Sequence, residues 1–170
     1  MTVIHYAMLS LFPALMAYAA CSDLLTMRIS NRVSLILFFG FVVMGFALRL
    51  PLEAWLMHFA AGGLVLVITF CLFAAGWVGG GDAKLAAVTA MWLGWGSSLL
   101  EYGAVASIFG GALTLALLQF RCFPLPRFAC WPWLMHLHDR KTGIPYGIAL
   151  AAAGLALYPE SQIWTRYLVA

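Results

Sequence analysis

The sequence has 170 residues, of which 65% are hydrophobic and 9% are charged, with a mean hydropathy of +0.98. Soluble domains carry about 45–50% apolar and about 25% charged residues, so this composition excludes a water-soluble globular fold. The net charge of +3 comes from nine Lys and Arg against six acidic residues. These basic residues stand singly between apolar runs, which argues against a nucleic-acid-binding surface.

The predicted elements are apolar segments separated by charged and turn-forming residues. A helix needs about 20 mostly apolar residues to cross a bilayer. Six candidate helices follow in chain order, near 3–22, 33–50, 55–77, 84–100, 102–120 and 143–159. The sequence therefore predicts an all-α polytopic membrane protein surrounded by lipid, with residues 1–170 forming one transmembrane domain. The first helix is expected to be retained, because it lacks the basic region of a signal peptide.

The basic residues predict the orientation of these helices through the positive-inside rule. If segment 23–32 is cytoplasmic, segments 78–83 and 121–142 lie on the same side. That side then holds most of the basic residues, namely Arg28, Arg32, Lys84, Arg121, Arg127, Arg140 and Lys141. Both chain ends are accordingly predicted to be extracytoplasmic.

Two acidic residues lie at the edges of predicted helices on this same side. Asp23 ends the first helix, and Asp82 begins the fourth. A carboxylate at membrane depth costs about 2.5–3.5 kcal/mol, so its presence needs a reason. Each residue could serve as a helix N-cap, Asp82 for the fourth helix and Asp23 for a short interfacial helix. Three glycines at 79–81, directly before Asp82, instead favour positive φ and close approach to a substrate strand.

Three motifs, in chain order, resemble those of the type IV prepilin peptidase family. Residues 79–82, Gly-Gly-Gly-Asp, resemble the Gly-x-Gly-Asp signature of membrane aspartic peptidases, and the Lys-Leu at 84–85 resembles the prepilin peptidase version. Residues 23–31, Asp-Leu-Leu-Thr-Met-Arg-Ile-Ser-Asn, are similar to the family's first aspartate and the basic residue, Ile and Asn that follow it. Ser30 stands where the family often has Pro. Residues 144–149, Ile-Pro-Tyr-Gly-Ile-Ala, are similar to the segment that opens the last helix.

This resemblance implies an aspartic endopeptidase that removes the leader from prepilin-like or pseudopilin proteins at the cytoplasmic face of the bacterial inner membrane. It implies Asp23 and Asp82 as the catalytic dyad, without a metal or cofactor. The substrate would join a basic leader to an apolar helix, with the cut after a Gly at their junction. The remaining implied site residues are Gly79, Gly80, Gly81, Lys84, Pro145, Tyr146 and Gly147.

Residue chemistry is consistent with this role. Two neighbouring carboxylates do not both ionise easily, so one keeps a proton and polarises a carbonyl while the other takes a proton from water. Long family members carry an insertion with paired C-x-x-C motifs after the first helix. This chain has only the ten residues 23–32 there, and its four cysteines form no C-x-x-C pair. It therefore resembles the short form associated with tight-adherence (Flp) pili.

Other functions and roles stay open at this point. A small transporter or proton-relay component could use the same two acids, although relay acids are expected near mid-membrane. A Gly-x-Gly-Asp protease that cuts within membrane helices is a further alternative, which the Pro-Tyr-Gly segment disfavours. Lys84 also fits a positive-inside anchor, and residues 136–139, His-Leu-His-Asp, match no standard metal site. Gly103, Ser107 and Gly111 predict a helix-packing face.

Overall fold

The computed structural model describes residues 3–124 and 131–169, and the side chains within 9–124 and 131–165. The all-α prediction is confirmed, because the described residues form helices joined by turns and short irregular segments. The helices are α1 (Val3–Thr26), α2 (Asn31–Ala47), α3 (Leu52–Ala74), α4 (Gly80–Leu93), α5 (Ser97–Phe120), α6 (Pro132–His138), α7 (Tyr146–Leu157) and α8 (Gln162–Val169). A 3-10 turn, Tyr158–Glu160, links α7 to α8.

The predicted fourth helix is wrong at its end. It was expected over 84–100, but α4 ends at Leu93, and residues 97–100 already belong to α5. Gly94 has φ +84, a left-handed conformation that suits glycine and terminates a helix. The predicted start is displaced as well, so that Asp82 lies inside α4 and not ahead of it.

Helix α4 is the centre of the bundle, although it has only 14 residues. Nine of its residues are buried, many of them alanines, and α2, α3, α5 and α7 all pack against it. A Cβ added at Gly62 of α3 would lie 3.1 Å from the Ala87 carbonyl oxygen of α4. Small residues thus bring the two backbones close together, as in many membrane helix pairs.

An aromatic cluster holds the C-terminal half of α4 against its neighbours. The ring of Phe12 in α1 lies 5.2 Å from Trp92 in α4 and 4.6 Å from Tyr158 after α7. The Trp92 indole N–H donates to the Leu37 carbonyl of α2 at 3.0 Å, and the Tyr158 hydroxyl to the Leu9 carbonyl at 3.1 Å. Buried aromatic side chains with satisfied polar atoms fix α1, α2, α4 and α7 relative to one another.

The outer surface of the bundle is apolar. Only His58, Ala61 and Gly62 are buried in α3, and only Tyr102 and Gly110 in α5. Segments Leu9–Thr26, Leu52–Ala74 and Ser97–Phe120 are long and apolar enough to cross a membrane. Helices α2, α4 and α7 are apolar but shorter, with 17, 14 and 12 residues. Because lipid is the solvent that such a surface requires, the chain is a polytopic membrane protein.

One predicted packing face does not pack. Gly103, Ser107 and Gly111 of α5 were expected to meet another helix, but a Cβ added at either glycine would meet nothing within 4 Å. All three residues line an open groove. Gly110 is the residue that makes the close approach, with the Tyr146 ring 3.3 Å from its added Cβ.

Candidate active site

Asp23 lies in the last turn of α1 and is only 4% exposed. Its Oδ2 accepts a hydrogen bond of 2.8 Å from the backbone N–H of Gly147, in the first turn of α7. The first N–H groups of a helix have no partner within the helix, so the Asp23 carboxylate satisfies one of them across 124 residues of sequence. The positive end of the α7 dipole also favours a carboxylate there.

Gly147 leaves no room for a larger residue. A Cβ at this position would lie 2.8 Å from Asp23 Oδ2 and 2.5 Å from Ile29 Cδ1. The glycine is therefore needed for contact, since only a bare backbone approaches the carboxylate this closely.

Asp82 is the third residue of α4, which has Gly79 as its N-cap. The prediction of Asp82 as the N-cap residue is therefore wrong, because the N-cap lies three residues earlier, at Gly79. The Asp82 carboxylate nevertheless interacts with the Gly79 backbone N–H, as third-position acids do in capping boxes. Its other oxygen, Oδ1, is buried and has no hydrogen-bond partner among the described residues. One oxygen thus serves the helix end, and the other is left for a further partner.

The two aspartates lie near enough for their charges to interact. Ile29, in the turn after α1, lies between the two glycine motifs. A Cβ added at Gly81 would lie 3.1 Å from the Cβ of Ile29, and Gly147 faces the Cδ1 of Ile29, as described above. Lys84 Nζ donates to Asn31 Oδ1 at 2.8 Å, which joins α4 to the start of α2. The three motifs, distant in sequence, therefore meet at one end of the bundle.

The turn that carries Ile29 is tied back to α1. Met27 has φ +54 and ends the helix, and the Ser22 hydroxyl donates to the Arg28 carbonyl at 2.9 Å. The Ser30 side chain then accepts from the Arg32 N–H at 3.3 Å, as an N-cap of α2. The Asp23 cap on a separate interfacial helix is a wrong prediction, because Asp23 lies within α1 itself.

The three consecutive glycines act by size and not by positive φ. Positive φ occurs at Gly76, Gly94 and Gly96, and not at Gly79, Gly80 or Gly81. The expectation of left-handed backbone at 79–81 is therefore wrong. Close approach does apply, because a Cβ at Gly80 would lie 3.3 Å from the Phe73 ring and one at Gly79 would lie 2.8 Å from Asp82 Oδ2.

Pro145 and Tyr146 hold the N-terminus of α7. Pro145 is fully buried and is the N-cap residue of the helix. The Tyr146 hydroxyl lies 3.2 Å from the Thr114 hydroxyl of α5, a hydrogen bond in which either atom can donate. No sequence signal pointed to Thr114, because a lone Thr in an apolar helix usually bonds only its own backbone. Thr114 makes this backbone bond as well, donating to the Gly110 carbonyl at 2.7 Å, in addition to its contact with Tyr146.

A groove of about 620 Å³ opens beside Asp82. Its walls are α3 and α5, with α4 and α7 between them, and its lining is mostly apolar. Along α5 the lining runs from Leu99 to Gly111, about 18 Å at 1.5 Å per residue. The groove is therefore about three helical turns long and has a carboxylate in its wall.

The described residues contain no group of three or more His, Cys, Asp or Glu side chains that could hold a metal ion. A pair of carboxylates needs none for acid–base chemistry, because one acid and one base suffice to activate water against a carbonyl. The arrangement at Asp23 and Asp82 is suited to peptide hydrolysis of this kind.

Comparison with known families agrees with this chemistry. A model of the Type IV leader peptidase family matches residues 10–118, which include both aspartates and precede the Pro-Tyr-Gly segment. No curated protein and no solved structure matches the chain. The match spans more than half of the sequence, so the chain belongs to the type IV leader peptidase family and is an aspartic-type leader peptidase.

Proposed function

We propose that this protein removes the leader peptide from type IV prepilin-like proteins, with Asp23 and Asp82 as its catalytic dyad. The observation that carries the proposal is that Asp23 of α1 and Asp82 of α4 lie at the same end of the bundle, near enough for their charges to interact, with Asp23 held by the Gly147 N–H. Family membership implies prepilin-type substrates. Gly79, Gly80, Gly81, Lys84, Pro145, Tyr146 and Gly147 shape the surroundings of the pair.

The reaction follows from a pair that shares one proton. The ionised carboxylate removes a proton from water while the protonated one donates a hydrogen bond to the scissile carbonyl oxygen. The water oxygen then bonds to the carbonyl carbon, and collapse of the tetrahedral intermediate breaks the C–N bond. The amine leaves with a proton from the pair. Because the proton belongs to the pair, we assign no separate acid and base.

The groove beside Asp82 fits the apolar helix of such a substrate. The peptide bond to be cut would lie at the Asp82 end, and the residues after it would run along α5. Gly103, Ser107 and Gly111 would then meet the substrate helix through the small-residue face that the protein leaves open. The basic leader would stay outside the membrane on the same side as the two acids.

The cytoplasmic face of the bacterial inner membrane is the proposed place of cleavage. Segment 23–32, Lys84 near the start of α4 and the described part of 121–142 together contain six of the nine basic residues of the chain. The positive-inside rule assigns that end to the cytoplasm. The short connection after the first helix, expected over 23–32 and spanning residues 27–30 between α1 and α2, supports the short, tight-adherence type, with 1–170 as a single peptidase domain.

The positions of the acids favour a peptidase over a proton relay. Asp23 is three residues from the end of α1, and Asp82 is the third residue of α4. A relay across the membrane needs acids near its middle, whereas a peptidase that cuts at the membrane edge needs them at helix ends.

Co-expression with a candidate prepilin tests the proposal. Leader loss, read on a gel, is expected with the wild-type chain and is expected to disappear with Asp23→Asn and with Asp82→Asn. Asp139→Asn is the matched control, because Asp139 is exposed and its carboxylate accepts from the nearby Lys141 N–H at 2.9 Å. Substantial cleavage by either dyad variant would mean that this aspartate only binds a helix N-terminus, that of α7 for Asp23 and that of α4 for Asp82.

A further inference from the structure

Arg121 is a buried cation at the C-terminal end of α5. It is 8% exposed, and its hydrogen bonds to described residues go to carbonyl and hydroxyl oxygens and not to carboxylates. From the sequence it was expected to be one of several positive-inside charges, which normally reach toward water or lipid headgroups. A buried guanidinium costs several kcal/mol unless its donors are used, so its contacts indicate its role.

The Arg121 side chain binds the segment that connects α6 to α7. Its Nε donates to the Leu137 carbonyl at 2.8 Å, and its Nη2 donates to the Gly143 carbonyl at 2.9 Å and the Thr142 hydroxyl at 3.3 Å. The Thr142 hydroxyl in turn lies 2.7 Å from the Asp139 carbonyl oxygen. The planar, multi-donor guanidinium therefore fastens both ends of 137–143 to α5.

This segment leads directly into the contact with Asp23. Gly143 is four residues before Gly147, whose N–H donates to Asp23 Oδ2. Between them, Pro145 is fully buried and Tyr146 is bonded to Thr114 of α5. The end of α5 thus fixes the start of α7 at two points. Arg121 holds the segment before α7, and Thr114 of α5 holds Tyr146 in the first turn of α7.

We propose that Arg121 is a positioning residue for the catalytic pair: it sets the place of the Gly147 N–H and, through it, the orientation of the Asp23 carboxylate. The inference rests on the proposed function of the dyad. Arg121 itself touches neither aspartate nor substrate. Arg121 does not line the substrate groove. Its loss therefore removes no groove contact but misplaces one carboxylate, which lowers the rate of the chemical step more than it lowers binding.

The test measures kcat and KM for leader cleavage in detergent by Arg121→Lys and Arg121→Gln. Lysine keeps the charge but cannot engage the three acceptors with one planar fork, so we expect a fall in kcat of about tenfold with KM within about twofold. Glutamine removes the charge and is expected to lower kcat about a hundredfold. Arg140→Gln is the control, since Arg140 is an exposed cation in the same connection, and it is expected to match the wild type.

The outcomes separate this inference from the proposed function. Wild-type protein that leaves the prepilin intact would overturn the dyad itself. Active wild-type protein together with an Arg121→Lys variant of unchanged kcat would overturn only the positioning role, even if Arg121→Gln fails to fold. A change confined to KM would also overturn it, whereas a fall in kcat with folded Arg121→Lys supports it.

Discussion

Single residues at this site are selected by the space that a neighbour leaves. Gly147 faces both the Asp23 carboxylate and the Ile29 side chain, and Gly81 faces the Ile29 backbone and Cβ. Ile29 thus separates the two glycine-bearing helix ends while the aspartates lie beside it. A short turn with one β-branched residue therefore sets the spacing between α4 and α7 at the catalytic end.

Gly147→Ala is expected to lower kcat/KM by about a hundredfold or more, because a 1 Å displacement at a catalytic group costs about that much. The added methyl group would lie 2.8 Å from Asp23 Oδ2, so the hydrogen bond from residue 147 must lengthen. Kinetics of leader cleavage by the purified variant measure the effect. Gly63→Ala provides the control, since a Cβ there meets nothing within 4 Å. Equal activity of the two variants would mean that the Gly147 contact is dispensable.

Gly81→Val is expected to impair cleavage more than Gly63→Val. Both substitutions place a β-branched residue in a helix at similar intrinsic cost, but only the first meets a neighbour, with the Ile29 carbonyl oxygen 3.3 Å from the new Cβ. Leader loss per amount of inserted protein compares them. Mild and equal effects would show that the close approach of Gly81 to Ile29 is not needed for cleavage.

Among the helices, the sequence predicted those whose boundaries depend on local chemistry, and it failed where packing decides. The charged and polar residues of 23–32 predicted a break between helices near 3–22 and 33–50. The structure confirms the break but narrows it to 27–30, because α1 continues to Thr26 and α2 begins at Asn31 with Ser30 as its N-cap. The end of α4 at Gly94 was missed because residues 84–100 form one apolar run, and hydropathy does not reveal a left-handed glycine within it.

The small-residue face of α5 was misread for a related reason. The spacing of Gly103, Ser107 and Gly111 indicates a surface suited to a helix, but it does not indicate whether that helix belongs to the same chain. The candidate site residues could be predicted because their motifs are local in sequence. The contacts of Arg121 and Thr114, and the position of Ile29 between Gly81 and Gly147, depend on segments that are distant in sequence and could not be predicted.

Ser107→Trp is expected to reduce cleavage of a full-length prepilin by about tenfold through a higher KM. The large side chain would fill the groove where the apolar helix of the substrate is proposed to lie. A peptide that ends shortly after the cleavage site should be cut at the wild-type rate. Leu115→Trp on the same helix is the control, because Leu115 is exposed and does not line the groove. Loss of cleavage with both substrates would point to a distorted dyad and not to a blocked groove.

In the whole molecule, segments 23–32, 78–83 and 121–142 are expected on the side of the two aspartates, which is predicted to be cytoplasmic. Single cysteines at Arg28 and Arg140 in a cysteine-free background should both be labelled from the cytoplasm, and one at Arg49 from the opposite side. Membrane-impermeant maleimide applied to intact and to opened cells distinguishes the two sides. Labelling of positions 28 and 140 from opposite sides would contradict the bundle itself.

The chain is further expected to act as a peptidase without N-methyltransferase activity. Methyl transfer needs a bound methyl donor and a site for the new pilin N-terminus. Long members of the family carry a cysteine-bearing insertion that is linked by resemblance to this activity, and this sequence lacks that insertion after its first helix. The turn between α1 and α2 holds only residues 27–30.

The cysteines do not replace that insertion. Cys21, Cys71 and Cys122 are exposed on separate parts of the bundle, and Cys130, like Arg127, lies outside the described residues. Because Cys122 and Cys130 stand eight positions apart, they do not have the spacing of a C-x-x-C knuckle. Mass spectrometry of pilin processed by this protein alone decides the matter. An unmodified N-terminus is expected, and an added mass of about 14 Da, one methyl group on the freed amine, would show that another part of the chain, such as segment 121–142, builds a transferase site.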